Sequence, residues 1–166
     1  MFILKLYFRF TKKLWTAIVK RNCLSHGEKI IANRRTVVGK NVILGNNVNF
    51  NGMKISKGGT VKIGNNFHSG DECRIIVQNH NYEGESIPYD STYIYNNVTI
   101  EDNVWLGHNV IILGNTTIGE GSIIQAGSTV VSSIPKYSIA GGHPAKVFKT
   151  RDIEHYEELK KKGKFF

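Results

Sequence analysis

Two cysteines, Cys23 and Cys73, are too few for a disulfide framework in 166 residues. Cys73 falls in the small inward slot of a six-residue repeat, so it reads as a core side chain and a reducing, intracellular compartment is the simpler expectation. Carboxylates are also scarce, with 13 Asp and Glu against 22 Lys and Arg and a net charge of +9. The excess sits at the ends. Residues 1–35 hold nine basic residues against Glu28 alone, residues 36–145 hold six against eight acidic ones, and residues 146–166 hold seven against four. A nucleic-acid-binding chain carries its basic stripe along the folded body, interleaved with aromatics, so no nucleic-acid partner is expected. Long apolar runs are missing as well. Lys5 and Arg9 interrupt the N-terminal run too early for a spanning helix or a secretory signal, and the expected location is the cytoplasm.

What is present is a period of six. From Ile100 a large aliphatic residue returns at Leu106, Ile112, Ile118, Ile124 and Val130, and two residues before the later members stand Val104, Val110, Thr116, Ser122 and Ser128. Both sets face inward together if each repeat contains a short stretch of period two. A repeat this short cannot bury its own apolar face, so it must stack on copies of itself, as hexapeptide repeats do in parallel β-helices. The register is looser upstream, with Val38, Leu44, Phe50, then Ile63, Ser69 and Ile75, and with Phe67 and Cys73 as their partners. The step from Phe50 to Ile63 is one residue too long, which predicts an insertion near Gly58-Gly59. A hydrophobic fraction of 40% suffices for one core.

Three segments follow: an N-terminal segment 1–35, a solenoid 36–145 and a C-terminal tail 146–166. In the first, Ile3, Tyr7, Phe10, Leu14 and Ile18 recur at helical spacing, with Lys5, Arg9, Lys12, Lys13, Lys20 and Arg21 largely elsewhere. Such a helix either caps the open end of the solenoid or lies on a membrane as a cationic interfacial helix, with Phe8 and Trp15 at headgroup level; the two roles are compatible. Peripheral contact through residues 1–21, at the inner membrane face, is thus an expectation. In the tail, Ile153, Tyr156 and Leu159 form a stripe and Glu157–Lys161 and Glu158–Lys162 form i,i+4 pairs, predicting a closing helix.

The repeat fails after Ile75–His80 and resumes at Ile100, so residues 81–99 leave the solenoid. A long loop on a rigid scaffold is a natural place for function. It carries Tyr82, Glu83, Glu85, Pro88, Tyr89, Asp90, Tyr93 and Tyr95, and tyrosine hydroxyls beside carboxylates suit a polyhydroxylated ligand. His80 stands at its start, in the outward position of its repeat, where an imidazole can take a substrate proton. His108, Ala126 and Pro144 are spaced by eighteen, so in a regular three-sided solenoid they stack along one side, about 4.8 Å apart per coil.

Asn79-His80-Asn81-Tyr82, Ile100-Glu101-Asp102-Asn103-Val104-Trp105-Leu106-Gly107, Ile123-Ile124-Gln125-Ala126-Gly127-Ser128, Ile134-Pro135 and Gly141-Gly142-His143-Pro144-Ala145-Lys146-Val147 follow one another in order. The set resembles the hexapeptide-repeat acyltransferases, most of all the maltose and galactoside O-acetyltransferases and those of surface-polysaccharide clusters, over roughly residues 36–151. The resemblance implies a left-handed parallel β-helix, all-β apart from the terminal helices, assembled as a homotrimer with acetyl-CoA in a cleft between neighbouring solenoids. It implies His80 as general base. His108, Ala126 and Pro144 match contacts to the pantetheine arm and adenosine, and Lys146 and Lys149 match basic residues near the cofactor phosphates, with Arg151 close by. Asn49 and Trp105 match acceptor-pocket residues, to which the loop adds Tyr82 and Glu83. Many relatives carry Thr-Lys-Asp before the Ile-Pro, whereas Val131-Ser132-Ser133 stand here and remove one phosphate contact. A sugar-pocket carboxylate of the family falls near Gly58, and its absence argues against a simple galactoside or maltose acceptor.

The implied chemistry is direct transfer of an acetyl group to a sugar hydroxyl, in surface-polysaccharide synthesis, without a Cys or Ser nucleophile. Glu83, Glu72 or a backbone carbonyl would orient the imidazole. Alternatives on the same scaffold are an N-acetyltransferase for a nucleotide-linked amino sugar, a xenobiotic acetyltransferase and a non-catalytic solenoid. No metal is expected: γ-class carbonic anhydrases, which share the fold, use two histidines five residues apart, a pair that His26, His68, His80, His108, His143 and His155 do not contain.

Overall fold

The computed structural model describes the backbone of residues 2–166 and the side chains from Leu6 onward. Each repeat forms one short strand and a corner, and three repeats complete a coil, with about six coils in all. The first face holds Ser25–His26, Val42–Leu44, Val61–Ile63, Val98–Ile100 and Thr116–Ile118. The second holds Ile30–Ala32, Val48–Phe50, His68–Ser69, Trp105–Leu106, Ile123–Ile124 and Ser138–Gly142, closed by an antiparallel edge strand, Ala145–Thr150. The third holds Met53–Ile55, Cys73–Ile76, Ile111–Leu113 and Thr129–Val130. Pairing from coil to coil is parallel, and Val98↔Thr116, Trp105↔Ile123 and Ile111↔Thr129 each step by eighteen residues. This is the parallel β-helix expected from the repeats, with the left-handed sense that the resemblance implies.

The inward series Ile100, Leu106, Ile112, Ile118, Ile124 and Val130 is buried, and so are Val104, Val110, Thr116, Ser122 and Ser128. Burying each large aliphatic side chain contributes on the order of 1.5–3 kcal/mol. The hydroxyls in the small slots are satisfied by corner backbone: Thr116 Oγ1 donates to the Leu113 carbonyl (2.8 Å), Ser122 Oγ to that of Pro135 (2.8 Å), and Ser128 Oγ accepts from Gly142 N–H (3.1 Å). Corners need left-handed backbone, which Asn tolerates better than most residues; Asn47, Asn66 and Asn103 supply it in three successive coils. Their amides form a ladder, Asn47 to Asn66 (2.9 Å), Asn66 to Asn103 (2.8 Å) and Asn103 to the Tyr156 hydroxyl (2.7 Å).

The insertion near Gly58-Gly59 is present, in company with a deletion. Ile55 is an inward, buried residue five after Phe50 and eight before Ile63, so the direct step from Phe50 to Ile63 spans two repeats of unequal length. Gly58 has a φ of +106°, and a Cβ on Gly59 would stand 1.6 Å from the Asn96 carbonyl oxygen. The extra residues therefore pack directly against the chain returning from the excursion.

Helix α1, Phe2–Asn22, docks on the first coil: Val19 is buried, Trp15 packs beside it, and Thr16 Oγ1 accepts from Ala32 N–H (2.9 Å). The capping expectation holds for its C-terminal half. The side chains of Ile3 and Lys5 lie outside the described residues. Among the described residues no helix is long and apolar enough to cross a membrane. Helix α2, Ile153–Lys161, is capped by Asp152, which accepts from His155 N–H (3.0 Å). Of its stripe only Tyr156 is buried, Ile153 being exposed. Lys162 pairs with Glu158 as expected, whereas Glu157 accepts from the Tyr137 hydroxyl (2.7 Å) rather than pairing with Lys161. The start of the tail is not free, because residues 145–150 are the edge strand.

Candidate active site

The excursion leaves the corner between the third and first faces as an arm. Gln78–His80 pairs antiparallel with Tyr93–Tyr95, and His80 lies opposite Tyr93. The tip is held by short-range bonds: Asp90 accepts from Thr92 N–H (2.8 Å) and Thr92 Oγ1 (2.5 Å), Asn81 donates to Thr92 Oγ1 (3.1 Å), and Glu83 N–H donates to Asn81 Oδ1 (3.2 Å). The Thr92 bonds hold the Asp90 carboxyl below its usual range. Asp90 thus organises the arm, while Glu83 stays exposed.

His80 is exposed and flanked by rings. The Tyr89 ring stacks on it at 3.9 Å and 17°, and the Tyr93 ring approaches at 4.9 Å and 35°. Among the described residues neither ring nitrogen makes a hydrogen bond within the chain, so none of Glu83, Glu72 or a carbonyl orients it through one. The rings orient it instead. Tyr89 as the stacking partner has no signature in the sequence, since the contact depends on how the arm folds back.

The second group of residues sits elsewhere. His108 and Ala126 stack at the corner between the second and third faces, with Gly127 N–H bonded to the His108 carbonyl (2.8 Å). Asp71 N–H donates to His108 Nδ1 (3.1 Å), which puts the proton of the neutral ring on Nε2 as a free donor. A Cβ on Gly107 would lie 2.5 Å from Ala126 N, so this corner is packed backbone against backbone and carries little side-chain bulk. Pro144 departs from the stack. The last coil steps by sixteen, Ile124↔Ala140, which puts Gly142 over Ala126 and His143-Pro144 in the turn between the two final strands. Lys146 and Lys149 are exposed on the edge strand. Arg151 is turned away to the Gly121 carbonyl (3.0 Å) and the Tyr156 ring (4.8 Å), where it helps dock α2.

Asn49 and Trp105 share one outward row of the second face, with His68 between them through Asn49↔His68 and His68↔Trp105. Asn49 Oδ1 accepts from Asn33 (2.9 Å), leaving its own amide N–H groups to donate. Trp105 is 55% exposed. His68 is a residue that the sequence does not single out. The Phe166 ring lies 5.4 Å from it, the Phe166 carbonyl accepts from Asn47 (2.8 Å), and the two residues border a cavity of about 220 Å³. Burial pushes the His68 imidazole below its ordinary value, partly offset by its contact with the Phe166 backbone, and among the described residues its buried Nε2 has no partner.

The structure therefore divides the candidate residues. His80, Tyr82 and Glu83 belong to one edge of the third face; His108 and Ala126 form its other edge, next to Asn49 and Trp105. One strand and its corners separate the edges, roughly 15–20 Å at about 3.3 Å per residue. Within one chain the two sets do not meet.

Residues 97–132 match the family model "Bacterial transferase hexapeptide (six repeats)". No curated protein matches the sequence. Among solved structures, the chain is similar to a galactoside acetyltransferase in complex with coenzyme A, with 27% identity, coverage of 84% of this chain and 71% of that one, and a TM-score of 0.67. It is similar in fold to a hexapeptide-repeat acetyltransferase of Vibrio cholerae O1 biovar eltor complexed with acetyl coenzyme A, at 24% identity, 81% and 74% coverage and a TM-score of 0.69. A third fold neighbour is an N-acyltransferase of Bacillus cereus in complex with dTDP and 3-hydroxybutyryl-CoA, at 19% identity, 89% and 94% coverage and a TM-score of 0.66.

Proposed function

We propose that this protein is an acetyl-CoA-dependent O-acetyltransferase acting on a sugar hydroxyl in surface-polysaccharide synthesis, with His80 as general base. Support comes first from His80 itself, an exposed imidazole held by Tyr89 and Tyr93 whose nitrogens, among the described residues, have no partner. The side-chain-poor corner of Gly107, Ala126 and Gly142, with the His108 Nε2–H donor and the Lys146 cation near it and Lys149 farther along the edge strand, fits an elongated, phosphate-bearing thioester. The likeness to acetyltransferases solved with coenzyme A or acetyl coenzyme A supports the same reading.

Because the two edges are separated within one chain, the complete site forms between copies. A homotrimer closes when the His80 edge of one protomer faces the His108–Ala126 edge of the next. In that cleft His80 takes the acceptor proton as the hydroxyl oxygen attacks the thioester carbonyl. The C–S bond then breaks and the imidazolium returns the proton to the departing sulfur, so no covalent enzyme intermediate forms. A backbone N–H serves the transient oxyanion. Burial raises the Cys73 thiol above its usual value, which keeps it protonated and unreactive. Acetyl-CoA as the donor goes with a cytoplasmic location.

A second reading, acyl transfer to the amine of a nucleotide-linked sugar, draws on the fold shared along nearly the whole length of the N-acyltransferase chain. An acceptor panel of sugars bearing hydroxyls or amines, followed by release of the coenzyme A thiol, separates the two. Turnover confined to amines replaces the first reading with the second, and turnover with neither class removes both.

A further inference from the structure

Helix α1 presents two apolar faces and the solenoid covers one. Trp15 and Val19 pack on the first coil. Leu6, Phe10 and Leu14, four residues apart, are 59%, 66% and 43% exposed, and Tyr7 beside them is 60% exposed. This stripe is rotated away from the residues that form the cap. Its flanks are cationic only: Arg9, Lys12, Lys13, Lys20 and Arg21 follow Lys5 with no carboxylate before Glu28. Arg9, Lys12, Lys13 and Lys20 rim a groove of about 530 Å³ between the helix and the first coil, and Ile30 and Ile31 lie in its floor. Lys20 is partly engaged, its Nζ donating to the Glu28 carbonyl at 3.4 Å.

Charge and apolarity on one helix select the occupant. A protein partner would need a complementary acidic groove, whereas an anionic bilayer offers a uniform negative plane with an apolar interior beneath it. We propose that α1 docks the protein on an anionic membrane surface: Leu6, Tyr7, Phe10 and Leu14 enter the boundary between headgroups and acyl chains, and the cationic groove holds lipid phosphate. The helix lies in the interface and does not cross, in keeping with the absence, among the described residues, of a helix able to span. The docking stands on α1 alone and is independent of the transfer chemistry.

Sedimentation of the full chain with vesicles of phosphatidylglycerol and phosphatidylcholine, against vesicles of phosphatidylcholine alone, tests it. Binding is expected only to the anionic vesicles and is expected to fall steeply with salt. The double variant Phe10→Ser, Leu14→Ser should partition about tenfold more weakly with its β-sheet circular dichroism unchanged, and Lys12→Gln, Lys13→Gln should weaken the salt-sensitive part. Inorganic phosphate at equal ionic strength should compete no better than chloride. Intact protein left in the supernatant at low salt overturns the proposal. Specific displacement by free phosphate overturns it in favour of a soluble phosphate ligand. If Phe10→Ser, Leu14→Ser changes the oligomeric mass in light scattering and leaves vesicle binding intact, the stripe is covered by a second copy and the proposal fails.

Discussion

His80 and Tyr89 lie face to face, with ring centroids 3.9 Å apart and planes 17° from parallel. The contact joins the base of the arm to a residue near its tip, and it fixes an imidazole that, among the described residues, has no hydrogen-bonded orienter. Such a stack is worth roughly 0.5–1.5 kcal/mol. If it positions the base, Tyr89→Ala should lower kcat by about two- to tenfold with the KM for acetyl-CoA unchanged, while Tyr89→Phe retains near-normal turnover. Equal kcat values for Tyr89→Ala and the parent would show that the stack does not position His80.

Ala126 lies over His108 and under Gly142, at a corner that carries little side-chain bulk. Ala126→Phe fills that corner and should raise the acetyl-CoA dissociation constant by more than about tenfold, a difference of about 1.4 kcal/mol, in calorimetry. Unchanged affinity places the cofactor elsewhere.

The proposed shared site would make two defects complementary. His80→Ala and Ala126→Phe each damage one edge, so coexpressed chains assemble some clefts with both edges intact. For random mixing into trimers about a quarter of clefts are whole, and about a quarter of the parent turnover should return. No recovery from demonstrably mixed oligomers, or full activity from a monomer in light scattering, contradicts the shared cleft.

Burial depresses the His68 imidazole in the folded state, so the unfolded chain binds the proton more readily. The associated stability is present above the ordinary value of 6.5 and is lost as pH falls below it. Urea unfolding midpoints should therefore drop on acidification through that value, and those of His68→Gln should drop less. Parallel pH profiles for the two proteins would show that His68 contributes nothing to the acid sensitivity.

Much of the scaffold is legible in the sequence because a solenoid allows few alternatives: the side chains of Ile100, Leu106 and Ile112 all have to enter one narrow core, and any slip of register would expose them. Legibility ends where spacing changes. Ile55 escapes the six-residue count because its neighbours in the inward series are five and eight residues away, and Pro144 misses its expected place over Ala126 because the last coil is two residues short. The resemblance to assembled relatives carries the idea of a divided site; which edge of the third face each residue occupies is set by the corners themselves. His68 and Phe166 meet because the segment after α2 returns to the corner at Asn47, and no local pattern encodes such a return. Tyr89 is one of four tyrosines in the excursion, and only the fold of the arm distinguishes it.

Base catalysis by His80 in transfer from acetyl-CoA has a direct test. On the acceptor found by the sugar panel, release of the coenzyme A thiol by His80→Ala should fall roughly 10²- to 10⁴-fold, the usual worth of a general base, while calorimetry gives the same acetyl-CoA affinity as the parent. Near-normal release by the variant on that acceptor would rule out His80 as the base.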